Sequence, residues 1–205
     1  EIKPDLVLLG TFGQGLIEVN IKTHEIRQFS HNPLQPASLA DDNVWSTFTD
    51  SKGLVWIGTG HTLNIFDANN QSIINIFGGA NIDKSLSNRK VHSVQSHDGE
   101  LLVGTGNAGI EILSPTNGKT GQLWETSENP VETLHAAKNG DVYASSNFAT
   151  VKIDSATKQN FPLAVGIRTP STFTTAFLST ETSLWRGGTD GLWVRHKGTE
   201  KQIEF

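Results

Sequence analysis

Cysteine and methionine are both missing from this chain of 205 residues, and tyrosine occurs once. Without cysteine there can be no disulfide, no zinc–thiolate site and no thiol nucleophile. The compartment stays open, because an exported domain can also do without cysteine. The lack of methionine has no evident physical reason. Clustered positive charge is lacking as well: 16 Lys and Arg stand against 21 Asp and Glu, for a net charge of −5, and no basic run exceeds Arg89-Lys90. Nucleic-acid binding needs such clusters to neutralise phosphates, so it is not expected. No apolar run approaches the roughly 18 residues of a membrane span, and no leader pattern precedes Glu1. The chain therefore reads as a soluble segment of something longer, with any membrane contact made through segments outside it.

What it does have is glycine, 20 residues of it, among many Thr, Ser and Asn, with 36% hydrophobic residues. That composition suits short strands joined by tight turns. The strands repeat. Thr49-Asp50-Ser51-Lys52-Gly53-Leu54-Val55-Trp56-Ile57-Gly58-Thr59 aligns with residues 95–105, with Gly53 matching Gly99 and each ending in Gly-Thr. Further copies contain Leu6–Thr11, Val142–Ser146 and, more degenerate, Leu184–Gly188. The equivalent positions Gly10, Gly58, Gly104, Ser145 and Gly187 lie 48, 46, 41 and 42 residues apart. A period of about 40–50 residues is that of a four-stranded propeller blade.

The flanks complete each unit. A third strand follows every Gly-Thr step, at 15–19, 63–66, 109–113, 151–153 and 191–194. Polar turns such as Asp67–Asn70 and Ser114–Gly118 come next. Outer strands are expected at Glu25–Phe29, Ile73–Phe77, Gln122–Glu125, Lys158–Phe161 and Gln202–Phe205, and inner strands at Val44–Thr49, Val91–Ser96, Val131–Ala136 and Phe173–Leu178. The expected fold is all-β: a β-propeller segment of about five four-stranded blades, divided near 1–36, 37–80, 81–126, 127–168 and 169–205. Only Glu1–Pro4 precede the first copy's second strand, so its inner strand is missing. Nineteen strands with an unmatched edge suggest part of a larger ring of about seven blades; a compact five-bladed ring is the competing arrangement.

The best copy runs from Ala37-Ser38-Leu39 through Asn43-Val44-Trp45-Ser46 and Trp56-Ile57-Gly58-Thr59 to Phe66-Asp67, led by His31-Asn32-Pro33, and Ser85-Leu86 stands the same distance before Val91. This pattern resembles the two-component regulator propeller repeat. The resemblance implies a periplasmic sensing region of an inner-membrane receptor, whose output module is a histidine kinase or a diguanylate cyclase. It implies recognition of a small molecule, an oligosaccharide or a periplasmic protein, beside neighbouring blades of the same receptor. No cofactor and no catalysis are expected of this chain.

Ligand-reading loops in such a repeat are those from outer to inner strand and from second to third strand. The longest are His31–Asn43 and Ala80–Lys90. Asn43, His61, Arg89, Lys90 and Asn107 lie on or beside these loops and are candidate ligand contacts. So are Trp45 and His92, which share one inner-strand position: ring and imidazole can stack on a sugar. The competing reading, which comes first, is that both simply pack between blades. Trp56 and Trp185 are assigned to the inter-blade core, while Trp124 is left between surface patch and lid. His92 and His97, and likewise Glu132 and His135, are spaced to point to opposite strand faces, which speaks against a metal site and against the His/Glu pair of propeller lyases. Asp50, Asp98 and Asp141 are expected to satisfy backbone N–H groups in turns. Three classes remain: a sensing propeller, a general protein-interaction propeller, and a lyase-type enzyme.

Overall fold

The computed structural model describes residues 5–76, 86–88, 90–114, 118–126, 129–146, 149–154, 156–157, 159–163 and 174–204. Among them there are nineteen strands and no helix. The first sheet has three strands, β1 (Leu6–Gly10), β2 (Leu16–Asn20) and β3 (Ile26–Phe29). The second has β4 (Val44–Thr49), β5 (Leu54–Thr59), β6 (Leu63–Asp67) and β7 (Ser72–Ile76). The third has β8 (Val91–His97), β9 (Glu100–Thr105), β10 (Ile110–Ser114) and β11 (Gly118–Trp124). The fourth comprises β12 (Val131–Ala136), β13 (Val142–Ser146), β14 (Thr150–Ile153) and β15 (Asn160–Pro162). The fifth comprises β16 (Thr174–Ser179), β17 (Ser183–Gly188), β18 (Gly191–His196) and β19 (Thr199–Ile203). Every sheet is a meander of sequential neighbours, which makes each a propeller blade. The chain divides into two compact units at Val94/Gln95, inside β8.

The outer strands differ most from expectation. β11 begins at Gly118, four residues early, and carries two register shifts against β10. β19 begins at Thr199, because Lys197 and Gly198 form a two-residue turn with both φ values positive. β15 is displaced to Asn160–Pro162.

In the first unit, Leu16, Leu39, Val55, Ile57, Phe66, Ala68 and Ile73 form one core, with Leu8, Phe29 and Val44 against it. In the second, Leu102, Ile110, Val131, Val142, Ala144, Val151 and Ile153 belong to another. Trp124 is partly buried and packs against that core. Trp56 is 2% exposed, as the repeat predicts. Trp185 is only half-buried, contrary to its core assignment; the next residue, Arg186, takes the buried position instead.

The repeat's invariant-looking letters have mechanical roles. Gly10 and Gly58 admit the next blade's inner strand: a Cβ would stand 2.6 Å from Val44 Cγ1 at Gly10, and 2.8 Å from both Val91 Cγ1 and the Val91 carbonyl at Gly58. The following threonine ties the loop to the third strand. Thr11, Thr59 and Thr105 hydroxyls donate to the carbonyls of Gly15 (2.8 Å), Thr62 (2.7 Å) and Gly109 (3.0 Å). Leu39 of the Ser-Leu pair is fully buried, and Leu86 of the second pair is 2% exposed. Asn64 is also fully buried; it accepts from the Ala40 N–H at 3.0 Å and so pins the loop that Leu39 plugs.

Candidate functional site

Inner strand β4 contains a β-bulge. Val44 pairs with Thr59 and Ser46 with Gly58, so Trp45 is the extra residue that no partner opposes. A bulged residue leaves the ladder and its side chain is re-aimed. Trp45 is accordingly 47% exposed, so simple packing between blades does not describe it. The same shift recurs at Glu132 in β12 and Thr175 in β16. It also breaks the strict alternation that would set Glu132 and His135 on opposite faces.

Trp45 is the centre of an aromatic shelf in the first unit. The His92 ring stacks on it at 5.1 Å between centroids and an angle of 23°. Phe12 meets it edge-on at 5.6 Å and 76°, and is itself 77% exposed. A polar pair flanks the shelf: His61 Nδ1 lies 2.9 Å from Asp41 Oδ2. The loop that carries His61 reaches the shelf through Gly60. A Cβ there would collide with Asp41 and stand 3.6 Å from Trp45 Nε1. Asn43 holds Asp41 from the other side, its backbone N–H at 3.1 Å and its side-chain amide at 3.2 Å from Oδ1. Partial burial pushes the Asp41 carboxyl up. The Asn43 N–H, the His61 side chain and the Asp42 backbone outweigh it and hold the group below its ordinary 3.8.

Of the residues singled out from sequence, the structure thus brings Asn43, Trp45, His61 and His92 together. Asn43 acts by positioning Asp41. Lys90 is exposed just before β8, its backbone N–H bonded to the Asn88 side chain at 2.8 Å. Asn107 is exposed in the β9–β10 loop of the second unit. Arg89 and most of the loop Ala80–Lys90 lie outside the described residues. Phe12 and Asp41 were missed. Phe12 did have a signal: it follows Gly-Thr where two other copies carry Gly60 and Gly106.

The acidic turns separate into two kinds. Asp50 does satisfy its turn, accepting from the Lys52 and Leu54 N–H groups at 2.8 and 3.0 Å and from Trp56 Nε1 at 3.1 Å. Asp141 instead serves side chains, Lys152 at 2.8 Å, Asn139 at 3.0 Å and the Tyr143 hydroxyl at 3.2 Å. Among the described residues no three His, Asp or Glu gather as metal ligands.

A family model described as "Two component regulator propeller" matches residues 38–61, the stretch from the Ser-Leu plug to His61. The copy at 38–61 is a two-component regulator propeller repeat. Histidine kinase P4 of Formosa agariphila is 33% identical over 110 residues, 53% of this chain and 7% of that protein. Among solved structures, the extracellular domain described as that of hybrid two component system BT3049 from B. thetaiotaomicron superposes with a TM-score of 0.81. It is 15% identical, and the match covers 98% of this chain and 27% of that one. The extracellular domain of BT4673 from the same organism gives 0.76 at 16% identity, over 93% of this chain and 26% of its own. These likenesses establish the propeller fold. The chain spans 7% of the kinase and 27% and 26% of the two extracellular domains.

Proposed function

We propose that this segment is the ligand-reading part of an extracytoplasmic sensor propeller in a two-component signalling receptor, and that it recognises its ligand on the Phe12–Trp45–His92 shelf. The half-exposed, bulged Trp45 carries the reading. An aromatic face held open at a loop-bearing strand end is suited to stacking on an apolar ring face. The Asp41–His61 pair beside it can accept and donate hydrogen bonds to hydroxyl groups. That combination fits a neutral oligosaccharide. The location is supported by the extracellular domains this fold resembles, and the signalling role by the kinase relative and the matched repeat.

The task is recognition without chemistry. His61 is 70% exposed beside Asp41, so water screens the pair, whereas general acid–base sites are desolvated to tune their groups. The test is tryptophan emission of the full chain titrated with a panel of neutral oligosaccharides. A saturable change is expected, weakened about tenfold or more, some 1.4 kcal/mol, by Trp45→Ala or Phe12→Ala. If the panel is silent while a protein from the cell envelope binds and is released by the same substitutions, the shelf is a protein-interaction surface instead.

A further inference from the structure

The second unit contains a cleft that the shelf does not involve. It has a volume of about 910 Å³ and opens between the fourth and fifth blades, at the β12–β13, β16–β17 and β18–β19 turns. Four cations line it, Lys138, Lys152, Arg195 and Lys197, against the carboxylate of Glu181. In a chain of net charge −5 with 16 Lys and Arg, this gathers a quarter of the positive groups in one hollow. Lys152 is neutralised by Asp141, which also takes the Tyr143 hydroxyl. The other three cations have no ion pair or hydrogen bond to a described residue.

Two of these cations are placed to act together. Arg195 is half-buried on β18, and its guanidinium makes no ion pair with a described residue. Its planar fork matches an oxyanion with two parallel bonds. Lys197 holds a left-handed conformation, φ 48°, in the two-residue β18–β19 turn. Asn, Asp or Gly would occupy that position with less strain. That turn sets Lys197 at the rim of the cationic cleft. Tyr143 lines the same wall; burial and the neighbouring Asp141 push its hydroxyl up to about 12 against the pull of Arg195, so it stays neutral, with its proton given to Asp141.

The geometry points to a second binding site in this cleft, for a small ligand bearing at least two oxyanion groups, held by Arg195 and Lys197. Carboxylate, sulfate and phosphate share this chemistry. The test is calorimetric titration of the full chain with trigalacturonate, a sulfated disaccharide and tripolyphosphate, with maltotriose as the uncharged control. One or more of the anions should bind and maltotriose should not enter the cleft; whichever binds identifies the oxyanion. Arg195→Gln and Lys197→Asn should each weaken binding at least tenfold, and Lys52→Gln, on an exposed turn of the other unit, should leave it unchanged. Lys197→Asn relieves the turn, so its melting point should hold or rise while binding falls, which keeps the test valid should Arg195→Gln fold poorly. No binding by any of the three anions, or binding that survives Lys197→Asn or falls equally with Lys52→Gln, would overturn the assignment. Because the shelf is untouched, the Trp45→Ala variant should bind the anion normally.

Discussion

At the scale of single residues, the glycine of the Gly-Thr step is the most constrained position that carries no function. Gly58→Ala would drive a methyl group into Val91 and Ser46, so a loss of about 1–3 kcal/mol is expected. Gly187 occupies the same repeat position but meets no described residue within 4 Å, and Gly187→Ala should change stability by less than about 0.5 kcal/mol. Urea titrations of the two variants compare them directly; equal effects would show that the close approach at Gly58 has been misjudged. Trp56→Ala should cost about 3–5 kcal/mol, since a large side chain 2% exposed leaves a cavity. His135 supplies a pH dependence. Burial lowers its pKa below the ordinary 6.5, and its Nε2 meets the Ser179 hydroxyl at 2.8 Å while Tyr143 stacks alongside. The unfolded chain then takes up this proton at a higher pH than the folded one. The stabilisation is complete above pH 6.5 and is lost as the pH falls from there through the lower folded value. Melting points measured between about pH 7.5 and about pH 5 should fall on acidification, and less so in His135→Gln.

At the scale of the strand and blade, the sequence shows some features and conceals others for identifiable reasons. Second strands are legible as short continuous apolar runs that follow turn glycines, and β5 lies at Leu54–Thr59 as the pattern requires. Outer strands are polar and short, so their limits move by several residues. The bulge at Trp45 is invisible in composition: a bulge is a change of register, and no letter at 44–46 announces it. Reading the strand as regular sends Trp45 into the packing and hides the shelf. The fifth blade hides another feature. Its copy looks degenerate because Arg186 stands where Ile57, Val103 and Ala144 stand in other copies. The structure buries that arginine to 3% exposure. Its Nε bonds to Glu200 at 2.9 Å, its terminal nitrogens bond to Asp190 at 3.0 and 3.1 Å, and its Cζ lies 4.8 Å over the Trp193 ring. A charged network thus replaces an apolar contact. Arg186→Ala should destabilise the chain by about 3 kcal/mol or more, since two carboxylates lose their partner. Replacing Arg186, Asp190 and Glu200 together by apolar residues of similar volume should recover most of that loss. A single-variant loss below about 1 kcal/mol in chemical denaturation would contradict the network's importance.

At the scale of the whole molecule, a rigid repeat frame carries its variable chemistry on loops and bulges. The Ser-Leu plug, the Asn64 clamp and the Gly-Thr ties fix the frame at its strand ends, and Phe12, Trp45 and His92 are displayed from it. Binding there would need little rearrangement of the blade, so a ligand contact can be removed without unfolding. The measurement that tests this most directly is made in the full-length receptor, recording ligand-dependent output and thermal melting side by side for the native protein and Trp45→Ala. The account predicts that output is abolished while the melting point moves by no more than about 2 °C, a surface-level change. Unchanged output with an unchanged melting point would remove the shelf as the ligand-reading surface.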